Sequence, residues 1–312
     1  MSSGGARRRP SPPRIAGPEA MKNRLVPYTF VAPAMLLLIS FGILPIAVAL
    51  LVSFTDMNLA GLGDWSRIRF VGGDNYSALF ADPAFWQALG NTALFALVGV
   101  PSVVVLSLVI ALALNRSQGR FFRALRSFYF VPAITAIVAV ALVWGYLYNT
   151  QFGLFNYLLS TVGLPPVPWL SDPTVVKFSV VLVAVWRGLG LNVIIFLAAL
   201  QGVPKEYLEA AAIDGASGLR RIVSIVIPLL RFAIFFVTIT TVIAWLQFFD
   251  EPFVLTKGGP LGASTSISLF LYQKGFSSSQ FGYASAGSVV LVAIIAVITV
   301  VQLRLRRSDV DY

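Results

Sequence analysis

The chain has 312 residues, 57% of them hydrophobic and only 12% charged, with mean hydropathy +0.83. A soluble domain keeps about a quarter of its residues charged, so lipid is the expected solvent. Cys and His are absent, which excludes disulfides, thiolate nucleophiles, the usual zinc and iron ligands and the commonest general base; no catalytic residue or metal site is expected. The formal charge of +10 would suit nucleic acid only if gathered on a soluble face, and the chain offers no such domain.

Residues 1–27 place Arg7, Arg8, Arg9, Arg14, Lys22 and Arg24 among Pro, Gly and Ser, a composition that predicts a disordered basic tail. Nearly uncharged runs follow at about 28–54, 91–114, 125–148, 175–200, 230–250 and 283–303, each sufficient for a bilayer core that needs roughly 20 helical residues. The first run exceeds the apolar stretch of about 7–15 residues in a cleaved signal peptide. Although Ala47-Val48-Ala49 faintly fits a cleavage site, retention as a helix is the expectation. The predicted fold is an all-α polytopic membrane bundle of about six transmembrane helices over 28–304, with a short tail over 305–312. Pro33, Pro45, Pro101 and Pro132 fall inside these runs, where neighbouring helices tolerate a kink.

Cytoplasmic flanks retain Lys and Arg. With the N-terminus inside, seventeen of the 23 basic residues lie in inner segments, and Arg67, Arg69, Lys177, Lys257 and Lys274 lie in outer ones. Both termini are therefore expected in the cytoplasm. Arg187 alone falls deep within a run. The outer loop 55–90 combines Asp56, Asp64, Asp74 and Asp82 with Trp65, Tyr76 and Trp86, aromatics suited to the lipid headgroup level. A second outer loop, 163–173, is rich in Pro and predicts rigid turns.

The longest inner segment, 201–231, reads as an elbow of two short helices. Pro204 suits a first helical turn, Lys205 to Asp214 are mostly strong helix formers, and Gly215 suits the left-handed residue that closes a helix. Ser217 is the expected N-cap of the next helix, and Pro228 turns the chain back toward the membrane. Small residues here let another protein approach closely, so a docking element is expected. An amphipathic loop lying on the headgroups is the alternative.

The run Glu209-Ala210-Ala211-Ala212-Ile213-Asp214-Gly215-Ala216, followed by Ile225-Val226-Ile227-Pro228-Leu229-Leu230, resembles the EAA coupling motif of ABC importer permeases. Phe70 to Tyr76, Asn91-Thr92, Trp169 to Pro173, Thr256 to Pro260 and Phe281 to Ala286 are similar to the carbohydrate branch, most of all to the maltose-type first permease subunit. The resemblance implies a non-catalytic permease in a bacterial or archaeal cell membrane. It also implies ATPase coupling through Glu209, Ala210, Ala211, Asp214, Gly215 and Ala216. The implied partners are a second permease, two cytoplasmic ATPase subunits and an extracytoplasmic sugar-binding protein. No Gly-x-x-x-x-Gly-Lys-Ser/Thr loop is present, so ATP and Mg are expected on the ATPases and no cofactor on this chain.

A charge within the bilayer faces a protein interior or a water-filled path. Trp186, Arg187, Gly188 and Asn192 are therefore candidate path residues, with pairing of Arg187 to Asp250 or Glu251 as an equal structural alternative. Thr241, Trp245 and Phe248 share a helical face, and with Gln247, Asp250 and Glu251 they could stack on a sugar and accept its hydroxyl protons; packing is the alternative for each. Two other classes compete. A secondary transporter would show more intramembrane acids and internal repeats, and an intramembrane enzyme would show a Ser or Asp constellation. An importer of a non-carbohydrate solute also fits the composition.

Overall fold

The computed structural model describes residues 18–115 and 119–307, in two compact units, Met1–Leu51 and Val52–Tyr312. Residues 1–17 and 308–312, expected as tails, lie outside them. The first unit holds α1 (Pro18–Leu38), a π-helical turn (Ile39–Ile43) and all but the last residue of α2 (Leu44–Val52). Helix begins at Pro18, so 18–27 is helical where the sequence suggested a disordered tail. Pro18 suits a first helical turn, and Glu19, Ala20, Met21 and Lys22 are strong helix formers. The widened turn has a local cause: Pro45 has no N–H to give and its ring crowds the carbonyl of Phe41, while the Leu44 N–H reaches back to Ile39 O.

The second unit opens with α3 (Leu59–Gly63), capped by the Asn58 side chain, and α4 (Asp74–Ala81). Helix α5 (Pro83–Asn115) starts well before the apolar run at 91, because Asp82 caps it by accepting the Ala84 N–H at 2.9 Å. Helices α6 (Arg120–Ile134) and α7 (Ile137–Leu147) meet at 99°. The stretch expected as one kinked helix over 125–148 is thus two helices set nearly at a right angle. Pro132 removes a backbone donor, and the Thr135 hydroxyl donates to Val131 O at 2.7 Å while its backbone turns extended.

The chain continues through α8 (Leu154–Thr161) to α9 (Val175–Gln201). The elbow follows as α10 (Lys205–Ile213), α11 (Gly218–Arg221), a second π-helical turn (Ile222–Val226) and α12 (Ile227–Leu229). A 68° bend at Leu230 leads into α13 (Arg231–Leu246). An irregular segment, α14 (Ile267–Tyr272) and α15 (Phe281–Arg307) complete the chain, α15 running past the expected end at 304. Among the described residues, four helical stretches are long and apolar enough to cross a membrane, and six if each bent pair is one crossing.

Helix α5 packs along α9. At one level Phe95, Val100 and Val103 meet Val180, Val181 and Val185, with Trp245 and Phe248 closing the cluster. Toward the elbow, Ala111 and Leu114 meet Val193, Phe196, Leu197 and Leu200, and Val226, Leu230 and Val237 join the same core. Away from the elbow, Leu79, Phe85 and Ala88 pack with Ile267, Phe270, Leu271 and Leu291. The irregular segment is tied to α5 by the Asn91 amide, which donates to Gly262 O and Thr265 O at 3.0 Å, and by Thr92, which accepts the Ile267 N–H at 2.8 Å.

Candidate functional site: the elbow and a charged cluster midway along α9

The elbow turns where the sequence places Gly215. Its φ is +72°, a conformation that a Cβ makes costly. The Gly215 N–H donates to Ala212 O at 3.1 Å and the Ala216 N–H to Ala211 O at 2.9 Å, the paired bonds of a Schellman helix end. Ser217 Oγ then caps α11 by accepting the Arg220 N–H. Ala211 is buried and Ala216 half-buried, so these two hold the turn together, whereas Glu209, Ala210, Asp214 and Gly215 face outward. An added Cβ on Gly215 would meet nothing of this chain within 4 Å. Ile213 is 86% exposed and Leu219 73%, apolar groups left in water on either side of the turn.

The second group of residues centres on Arg187. Its Nη2 donates to Asp250 at 3.0 Å and its Nε lies 3.0 Å from a Glu251 carboxylate oxygen. Glu251 is buried, while the Asp250 side chain is half exposed. Each acid thus takes a different nitrogen of one guanidinium, a charge-assisted arrangement. Arg187 stands about 18 Å along α9 from Val175, since each helical residue rises about 1.5 Å. The cluster therefore lies near the middle of that 27-residue helix.

Of the other residues, Trp186 sits edge-on to Trp144, with ring centroids 5.6 Å apart. Gly188 faces Val103, and the Asn192 amide donates to Gly188 O at 2.8 Å, closing a bond within α9. Gln247 is exposed. Thr241, Trp245 and Phe248 do share a face, but all three are buried in the α5–α9 core. The reading that this face is open to a sugar is corrected in this conformation. The cause is Gly99 of α5: it has no side chain, and the Trp245 ring occupies the place a Cβ would take.

Two features were not singled out from sequence. Phe249, Phe253, Tyr272 and Phe276 form a row of rings with centroids 5.0–5.3 Å apart. Phe249, Tyr272 and Phe276 line an open cavity of about 420 Å³ with Ser268, Ser285 and Ser288. Helical spacing of four within 249/253 and 272/276 was the available signal, but only the fold brings the pairs together. The other is Asp82, which accepts from Lys274 Nζ at 3.0 Å and the Tyr283 hydroxyl at 2.9 Å.

Comparison with known proteins gives this geometry its setting. Residues 76–308 match the family described as "Binding-protein-dependent transport system inner membrane component". The chain is 35% identical over 280 residues to the lactose transport system permease protein LacF of Rhizobium radiobacter, covering 88% of this chain and 92% of that one. It is 34% identical over 286 residues to the trehalose/maltose transport system permease protein MalF of Thermococcus litoralis, covering 91% and 94%. In fold it matches a chain of a bacterial ABC transporter involved in alginate import, with TM-score 0.79 and 21% identity over 94% of this chain and 99% of that one. A multi-span helical chain with an EAA-type elbow and relatives of this kind belongs to the inner-membrane permease components of binding-protein-dependent ABC transporters.

Proposed function

We propose that this chain forms one half of the path of a saccharide importer and that ATP-driven movement enters it through the elbow at 201–231. The turn at Gly215 carries the reading. A backbone with open space beside it and two exposed apolar side chains, Ile213 and Leu219, suits a protein surface that approaches closely. Behind that surface, Val226 and Leu230 share a core with Leu114, Phe196 and Leu200. Displacing the elbow would thus load α5 and α9 directly, because a packed core transmits strain.

Glu209, Ala210, Ala211, Asp214, Gly215 and Ala216 are the proposed coupling residues, seated in a cytoplasmic ATPase that supplies ATP and Mg chemistry. The saccharide assignment is supported by the lactose and trehalose/maltose permeases among the relatives. A second related permease would complete the path, two ATPase subunits would drive it, and an extracytoplasmic sugar-binding protein would deliver the substrate. In the Gly215→Asp variant a side chain occupies the close approach and strains the turn. That variant is expected to insert normally and to co-purify with at least about tenfold less ATPase, a loss of one decade in binding. Equal ATPase recovery with wild type and variant would refute coupling through this turn.

A further inference from the structure

The cluster of Arg187, Asp250 and Glu251 bears on which saccharides can pass. Within the crossing helices, Arg126 of α6 bonds Leu114 O at the end of α5 and the other Lys and Arg lie near a helix end, so among the described residues Arg187 is the cation placed midway along a long helix. Left alone it would attract an anionic sugar. It is not alone: Asp250 and Glu251 each hold one of its nitrogens at 3.0 Å. With both acids ionised the group carries one net negative charge, and with one of them protonated it is neutral. In neither state is it positive.

Three observations set the group at a surface that faces a conduit or a partner chain and not lipid, which is where a path between two halves would run. Exposed charge at mid-depth faces a conduit or another protein chain and not lipid, and Asp250 is half exposed. The backbone after Leu246 leaves the regular helix, and irregular backbone at this depth is accommodated where it is buried in protein or lines a cavity. The exposed amide of Gln247 stands on the same segment. Resting on the saccharide reading above, we infer that Arg187, Asp250 and Glu251 act as a charge filter, admitting neutral or cationic saccharides and refusing uronates, sulfonated sugars and sugar phosphates.

The natural absence of cysteine gives a test that needs no knowledge of the sugar. A Gln247→Cys variant of the assembled transporter would be treated with cationic, neutral and anionic methanethiosulfonates, each rate normalised to that of a free thiol in solution. The anionic reagent is expected to react no faster than the cationic one. Adding Asp250→Asn and Glu251→Gln leaves Arg187 uncompensated and should raise the anionic-to-cationic ratio by at least about tenfold, as expected for unit charges a few ångströms apart. A wild-type preference for the anionic reagent, an unchanged ratio in the triple variant, or no modification by any reagent would each overturn the filter. Uptake of lactose and lactobionate, in which C1 is oxidised to a carboxylate and the reducing ring is opened, is the parallel readout in cells. Where lactose is taken up, lactobionate uptake equal to it would overturn the filter. Reagent rates as expected with no saccharide taken up from a wide panel would leave the filter standing and defeat the saccharide reading.

Discussion

Gly99 and Trp245 show how far a single residue sets this site. The indole fills the groove that Gly99 leaves in α5 and contacts Phe248, whose ring in turn meets Phe95 edge-on at 5.5 Å. A methyl at position 99 would collide with the six-membered ring of Trp245, and overpacking of a tight core costs about 1–3 kcal/mol. Gly99→Ala is therefore expected to lower the melting temperature of the purified protein in detergent. Trp245→Phe in the same chain should recover part of the loss, because Phe lacks the ring atoms that clash; additive losses would contradict this account. The sequence made Trp245 legible as one of a shared face with Thr241 and Phe248. It could not say which way that face points, because the partner that decides it is a glycine more than a hundred residues away.

At the scale of elements, proline explains local departures from regular helix. Both π-helical turns that precede a proline, Ile39–Ile43 before Pro45 and Ile222–Val226 before Pro228, end with an N–H reaching five residues back. Such turns widen the helix where a proline withholds its donor. The apolar runs predicted that crossings exist but not where they break, since a run of Val, Leu and Ala reads alike in a straight helix and in the 99° pair α6–α7. The junction of α4 and α5 with α15 depends on Asp82. Burial opposes its charge, but bonds from Lys274, the Ala84 N–H and Tyr283 outweigh it and hold its pKa below the ordinary carboxylate value. A lowered carboxylate adds stability that is present above the ordinary value, about 3.9, and is lost as pH falls through the lowered one. Lys274→Met removes a main support of that charge, so the variant should melt below wild type at neutral pH, and the gap should narrow as pH falls toward about 3, where wild type loses the same contribution. Coincident profiles would mean that the Lys274–Asp82 bond does not stabilise the junction.

For the whole molecule, composition and charge distribution suffice for a multi-span membrane chain, because lipid imposes the strongest constraint on sequence. The elbow was legible in detail: Gly215 and Ser217 take up the left-handed and N-cap positions expected of them, while Pro204, expected within the first helical turn, stands just before it as the N-cap. Local chemistry alone decides such caps. The path was legible only in part, since pairing of Arg187 with two acids sixty-odd residues away depends on how α9 and α13 meet. The central claim is that this chain carries solute and takes its drive through the elbow. Its most direct measure is uptake of labelled mono-, di- and trisaccharides by source cells lacking the chain, complemented with wild type or Gly215→Asp. Loss of uptake of one saccharide, restored by wild type but not by the variant, is the predicted result; restoration by both to the same level would contradict coupling through the elbow, and unchanged uptake of every saccharide without the chain would contradict the saccharide path.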